Sequence, residues 1–485
     1  MAVILLFVSH SLKADVFHNI KGFYGLRASG MGGAFTAISD DPSGAIYNPA
    51  GLGFMPYNKM TISSVSYQFS SKVAKRINGY DRDYNIKSSG LSPNFIGSAM
   101  SFGKLRFSFS ILSPTTNNYD QTDQVYNPIN IPFISQLSFG FTESNSNYQF
   151  GPTLAYLISD RFSIGATILG FLDESRNSEK LLIRQKSGAY INQTSDLRQE
   201  TRGLKPILGF QFMPSPKWSF GFSMQRIFLL SKKIRFTQVT TSQDVNNERL
   251  INVLDENEKN YGEIIGITEV NDRLPDNVYF LGNNTFAGEI PENYEFRFGV
   301  ARFISDKFLM AFDTIYTTSY NYKKDILNYD PFSNIAFYRG NEYMDLHYLP
   351  TINFSLGIEY FFTPNIAIRL GTFTNKSNSK RISWIDSFLD NGIRENLERS
   401  SQLPVITESG ILIYNLTNIQ APARNEYVNL RGLSLGVAWE TDTSALGITY
   451  IYETGLGQSV YVDLIPSTEL EYNESKFYFT STIRN

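Results

Sequence analysis

The sequence predicts an all-β chain: a transmembrane antiparallel β-barrel of about 14 strands. Three observations lead there. Six very short polar turns are each flanked by strands of alternating polarity, and long polar insertions separate these hairpins. Beyond the first residues, no stretch approaches the ~20 consecutive apolar residues that a helical span requires. Short turns on one side and long loops on the other are the asymmetry of an outer-membrane barrel.

Composition agrees. Aromatic residues make up 14% of the 485, with 38 Phe and 29 Tyr, and such side chains favour strands. The mean hydropathy of -0.21 fits a barrel that averages a polar lumen against an apolar outside. A formal charge of -3 gives no polybasic region and argues against nucleic acid as a partner. The absence of Cys removes disulfides, Cys-ligated zinc and thiol catalysis together. Only His10, His18 and His347 are present, so no His metal site, no cofactor and no enzymatic activity are expected.

The elements follow in chain order. The apolar run 2 to 8, followed by residues 9 to 14, reads as the end of a secretory signal peptide cut after Ala14; a buried strand is the alternative. No Lys or Arg precedes the run, and Leu12 is large for its place two before the cut. A first strand is expected at 59 to 69. Six hairpins follow, turning near Gly103-Lys104, Ser159-Asp160-Arg161, Pro214-Ser215-Pro216, Ser305-Asp306-Lys307, Thr363-Pro364-Asn365 and Thr441-Asp442-Thr443. A last strand at 476 to 483 brings the count to fourteen. The intervening insertions, 71 to 93, 114 to 146, 173 to 202, 229 to 292, 319 to 350, 376 to 429 and 455 to 474, read as polar loops. The alternating stretch 133 to 142 reads either as loop or as an upward extension of the fourth strand.

Alternation assigns faces. Ile352, Phe354, Leu356, Ile358, Tyr360 and Phe362 share one side, and Asn353, Ser355, Gly357 and Glu359 share the other. Tyr294, Phe296, Phe298 and Val300 oppose Glu295, Arg297 and Gly299; Leu446, Ile448, Tyr450 and Tyr452 oppose Ala445, Gly447, Thr449 and Ile451. A soluble sandwich would give the same period, but Tyr and Phe crowded near strand ends fit interfacial girdles. Lipid solvates no open backbone, so such strands must close. Fourteen strands enclose a lumen wide enough for a plug or a narrow ligand path.

Before the first strand, Gly30-Met31-Gly32-Gly33-Ala34 lacks the preceding strand and the third spaced Gly of a dinucleotide loop. With Ala37-Ile38-Ser39-Asp40-Asp41 and Tyr47-Asn48-Pro49-Ala50-Gly51-Leu52, it resembles the N-terminal signature of FadL/TodX-type outer-membrane transporters of hydrophobic compounds. The resemblance covers residues 15 to 70. It implies a small helical plug, or hatch, at 15 to 58 inside a barrel spanning 59 to 485, after a signal remnant at 1 to 14. It also implies that Asn48, Pro49 and Ala50 form the hatch motif, beside an inward kink of the third strand and a lateral opening, while Asp40 and Asp41 help fold the hatch. Asn tolerates unusual backbone angles, Pro stiffens the turn and Ala allows close approach. That the segment merely seals the barrel is the plainer alternative. The chain ends Thr480-Ser481-Thr482-Ile483-Arg484-Asn485 without a terminal aromatic, so the expected assembly signal is either lineage-specific or built on Phe477 to Phe479.

The resemblance implies passive uptake of long-chain fatty acids or other hydrophobic small molecules across a bacterial outer membrane. Cargo would be captured by the loops 229 to 292 and 376 to 429, passed to an apolar lumen pocket and released sideways when the hatch shifts. Expected partners are the hydrophobic ligand, fatty acid or aromatic hydrocarbon, outer-membrane lipids and the barrel assembly machinery, for a monomer. Arg297 and Arg369 face the lumen by alternation and are candidates to contact a ligand, although lumen arginines are commonly structural. The alternative within the same fold is a secretion or assembly accessory, or a surface adhesin. A hydrolase would need a Ser beside a His at the wall, and His18 and His347 are poorly placed for that.

Overall fold

The structure is a computed structural model that describes residues 17–56, 58–75, 83–92, 94–114, 116–126, 134–186, 188, 190–243, 260–270, 290–330, 335–379, 405–406, 412–413, 426–459 and 468–484. The signal-peptide expectation for 1 to 14, and much of the loops 229 to 292 and 376 to 429, lie outside the described residues.

Fourteen antiparallel strands close into a barrel. They are β1 Lys59–Ala74, β2 Phe95–Phe102, β3 Leu105–Leu112, β4 Ile134–Ser159, β5 Phe162–Gln185, β6 Tyr190–Ser215 and β7 Trp218–Arg226. The circle continues with β8 Tyr294–Ser305, β9 Phe308–Thr317, β10 Thr351–Thr363, β11 Ile366–Asn375, β12 Leu430–Glu440, β13 Ser444–Ser459 and β14 Thr468–Arg484. Each strand pairs with its successor. The ladder Lys59↔Arg484 through Ala74↔Leu470 joins β14 to β1, so the barrel ladder closes on itself. All six expected tight turns are present, on the same end as the start of β1 and the end of β14.

The expected faces also hold. Phe354, Leu356, Phe298, Leu446 and Ile448 are exposed on the outside, while Asn353, Ser355, Gly299 and Thr449 are buried inside. Large exposed apolar side chains recur on every strand, including Phe107, Phe210, Phe220, Phe312, Leu370 and Val437, and together form an outward belt suited to lipid.

The insertions differ from the expectation of loops. β5 and β6 stay paired up to Arg184↔Tyr190, while β4 continues upward through the stretch from 134, the second of the two readings its alternation offered. Phe228–Gln243 extends the sheet beside β6 and pairs with Asn260–Val270. Tyr320–Asp330 and Ile335–Tyr348 form a hairpin of their own. Ladder bonds are made by the backbone and need no apolar face. Above the outward residues Leu172 and Leu204, residues 173 to 180 and 198 to 202 are polar on both sides, so the period-two signal of β5 and β6 fades although the strands continue.

One ladder is interrupted. β2 and β3 pair from Phe102↔Leu105 up to Phe95↔Leu112, and the Ser113 amide then donates to the Asn94 carbonyl at 3.0 Å. Beyond that point Tyr84–Ser92 pairs with β1 and Thr116–Tyr126 with β4, and no ladder joins the two among the described residues. Pro114 stands at the break, where it has no N–H to donate.

Candidate functional site

Inward Ser108, Ser110, Thr153, Ser163, Gln211, Ser223, Asn353 and Thr449 are buried, as they would not be around an open aqueous channel. Residues 17–56 lie against them. This segment contains the short helices α1 Leu26–Gly30 and α2 Gly44–Tyr47 and a 3-10 helix at Pro49–Phe54. Gly33, at φ +82, turns the chain out of α1 and returns its amide to Ala28 O at 2.8 Å. Asp41 Oδ1 accepts from the Ser43 amide at 2.8 Å and the Ser43 hydroxyl at 2.6 Å, which sets the turn into α2.

The wall is shaped for close approach. At Gly165, Gly209, Gly221, Gly299, Gly357 and Gly371, on β5 to β11, an added Cβ would run into the segment's backbone or side chains. Gly165 faces Pro49 and Ala50, and Gly209 faces Asn48 and Pro49. Gly165 pairs with Gly209, and Gly221 with Gly299, so the ring is built from neighbouring strands in register.

Two kinds of contact join segment and wall. Over β5 to β9 most are hydrogen bonds made by neutral side chains or by the backbone. Asn48 Nδ2 donates to Thr36 O at 2.9 Å and to Phe210 O at 3.0 Å, while its Oδ1 accepts from the Ala50 amide at 3.2 Å. Thr167 donates to Ala45 O at 2.8 Å, Ser219 to Ala37 O at 2.6 Å and Ser223 to Tyr47 O at 2.6 Å. Asp313 Oδ2 takes the amides of Phe35 and Thr36 at 2.9 and 2.8 Å.

Over β10 to β14 ion pairs join neutral hydrogen bonds such as Ser434 to Gly30 O and Asn375 Nδ2 to Ile20 O, each at 2.8 Å. Arg27 on α1 bridges Asp40 at 2.6 Å and Glu359 of β10 at 2.7 Å. Arg369 of β11 pairs with Glu359 at 2.7 Å and with Glu440 of β12, which also holds Arg484 of β14. Glu359 and Arg369 are almost wholly buried, at 2% and 1% side-chain exposure, whereas Asp40 keeps 29%. Burial opposes the charge on Asp40, but Arg27 and Lys59 outweigh it and hold the carboxyl below the usual carboxylate range. Burial pushes the Asp41 carboxyl up.

The sequence candidates therefore separate. Asn48, Pro49 and Ala50 sit together, but against β5 and β6; Phe23, Tyr24 and Pro42 are the residues beside the break. Asn94 donates to Phe23 O at 2.8 Å, Tyr24 lies 6.4 Å from the Phe95 ring, and Pro42 faces Gly97. Asp40 and Asp41 take different roles, one ionic and one in a turn. Arg369 is engaged by two carboxylates. Arg297 pairs with Glu295 at 2.6 Å and lies 5.4 Å over the Tyr47 ring.

Sequence reasoning missed Arg27, Glu440, Arg484, Asp313 and the glycine ring, and placed Glu359 on the inner face without a role. Charges and glycines at inward positions near the tight turns were the available signal. It also missed Lys205, an inward lysine on β6 opposite Leu169 and two residues from buried Ile207. Among the described residues no carboxylate lies within ion-pair distance of Lys205. An apolar cluster of Ile20, Phe23, Ile315, Phe373, Ile451 and Tyr478 lies in the lumen, with Phe23 and Phe373 edge to face at 4.7 Å.

No family model and no curated protein matches the sequence. Solved structures do match in three dimensions. The Ralstonia pickettii toluene transporter TbuX is similar at a TM-score of 0.54 and 12% identity, over 96% of this chain and 99% of that one. The P. putida toluene transporter TodX gives 0.54 and 12% over the same shares. A Pseudomonas aeruginosa FadL homologue gives 0.53 and 11%, again over 96% and 99%. The chain therefore has the closed fourteen-stranded barrel fold of the FadL/TodX-type channels for hydrophobic compounds.

Proposed function

We propose that the protein lies in a bacterial outer membrane and takes up hydrophobic small molecules passively, with residues 17–56 as the plug of its lumen. One observation carries this reading: the apolar cluster around Phe23 adjoins the upper end of the β2–β3 ladder, above which no ladder joins 84–92 to 116–126 among the described residues, and the Asn94 hydrogen bond links the two. A ligand reaching that cluster from the loop side would have the interrupted wall as its way into lipid. No energy coupling is required, because a gradient and a difference in affinity between plug states suffice. Asn48, Pro49 and Ala50 then seat the plug on β5 and β6, and the ionic contacts of Arg27 hold its other side.

Cargo class turns on the lumen cations. Arg369 is neutralised by Glu359 and Glu440 and Arg297 by Glu295, so Lys205 is better placed to meet a carboxylate. The test is binding of labelled fatty acids and of toluene to the refolded barrel. Saturable binding of at least one is expected, and Lys205→Gln should weaken carboxylate ligands while leaving toluene unaffected. No saturable affinity for either ligand would end the proposal.

A second reading, a secretion accessory or surface adhesin, is favoured by the strands that continue past the belt. From residue 173 to 185, β5 carries about 40 Å of paired sheet beyond Leu172. Stoichiometric partner proteins co-purifying without bound lipid would favour it.

A further inference from the structure

The outward surface carries two guanidinium groups clamped by aromatic rings, at opposite ends of one strand pair. In the β7–β8 ladder Trp218 faces Arg302, and eight positions further Arg226 faces Tyr294. Arg302 lies 5.1 Å over the Trp218 ring at the end with the tight turns. Arg226 lies 4.7 Å from the rings of both Phe228 and Tyr294 at the loop end, and donates to Tyr294 Oη at 2.8 Å. Eight residues span about 26 Å along a strand, or about 20 Å of height at the usual tilt, close to the thickness of the apolar band of such barrels. Between the clamps the outward positions are Phe220, Phe222, Met224, Phe296, Phe298 and Val300.

Inward arginines are neutralised by the chain itself: Arg27, Arg297, Arg369 and Arg484 each touch a carboxylate. Arg226 is not. Among the described residues the only side-chain hydrogen bond of its guanidinium goes to Tyr294, and no carboxylate lies within ion-pair distance. A fixed, partly exposed cation at the edge of a lipid-facing belt is stable there when the surrounding headgroups are anionic. Its planar fork matches phosphate, and the two rings hold it in place beforehand.

We propose that Arg226, with Phe228 and Tyr294, is a binding site for the phosphate of a phosphorylated glycolipid in the leaflet on the loop side. The site lies outside the lumen and rests on the membrane placement of the barrel, not on transport. The clamp orients the barrel in the bilayer and recruits one lipid to the β7–β8 face.

The test is native mass spectrometry of the full-length barrel in detergent, titrated with monophosphoryl lipid A, its phosphate-free analogue and phosphatidylglycerol. Wild type is expected to retain the phosphorylated glycolipid and not the phosphate-free analogue. Arg226→Gln should weaken retention about tenfold, the worth of one charge-assisted contact. Tyr294→Phe, which keeps the charge, should weaken it less, and Arg302→Gln should leave it unchanged. Equal retention by Arg226→Gln, an equal loss in Arg302→Gln, or binding of the phosphate-free analogue would overturn the site. Retention of phosphatidylglycerol alone would overturn the assignment to the glycolipid.

Discussion

Glu359→Gln is the sharpest probe of how the N-terminal segment is held. In the wild type one carboxylate accepts from Arg27 Nε at 3.1 Å, from Arg27 Nη2 at 2.7 Å and from Arg369 Nε at 2.7 Å. The substitution leaves both guanidinium groups beside a neutral amide. Arg27 retains Asp40, but that pair is partly exposed, and such pairs contribute only about 0–1 kcal/mol. Removing one partner of a buried pair typically costs about 3–5 kcal/mol, because the charge left behind is desolvated and unpaired. Retained contacts with Asp40 and Glu440 place the expectation near the lower end, about 3 kcal/mol, or on the order of a hundredfold in the docked fraction. The barrel itself should persist, since the Glu359↔Arg369 ladder position is a backbone pairing. Hydrogen exchange resolved by peptide checks this: protection of 25–41 should fall while that of β10 and β11 stays. Single-channel conductance of the variant should rise with it. If 25–41 keeps wild-type protection, or if β10 and β11 lose theirs first, the ionic contact does not hold the segment.

Further outcomes follow from the same geometry. Asn48→Ala removes two donors from Thr36 O and Phe210 O and the acceptor of the Ala50 amide, and should loosen 44–54 by about 1–3 kcal/mol, read by exchange of that peptide. Gly209→Ala places a methyl against Asn48 and Pro49 and should cost about 1–3 kcal/mol of docking, with unaltered barrel content by circular dichroism. Asp40, whose carboxyl is held low, contributes stability that is present above the ordinary aspartate value of ~3.9 and lost as pH falls through its lowered one. Protection around Arg27 should therefore drop in strong acid, and Asp40→Asn should reduce that drop. Asp41 is held high, so its contribution runs the other way and weakens as pH rises from ~3.9 through the raised value. Asp41→Asn, which keeps an acceptor for Ser43, should abolish that loss in the exchange of 41–47.

The strand count, the six turns and the faces of β8, β10 and β13 were legible because a strand in lipid must alternate and a tight turn needs particular residues. The upward continuation of β5 and β6 was not, since polar and charged residues fill both sides of 173 to 180 and 198 to 202, whereas the alternation at 133 to 142 already offered the extension of β4 as one of two readings. At the lumen, residue types near 30 to 52 pointed to a closely packed segment, but its partners did not show. Arg27 meets Glu359 332 positions away, and Gly209 faces Asn48 from another part of the chain.

By itself, then, the sequence determined a closed barrel and the outward set of residues, because period and turn chemistry are local and closure follows from the solvent. Only the tertiary structure decided that Arg369 is bound by Glu359 and Glu440, that Lys205 is not bound by an acid among the described residues, and that the ladder stops above β2 and β3 beside Phe23. Those are matters of which strands face each other across the lumen, and register around a closed sheet is set by all fourteen strands together.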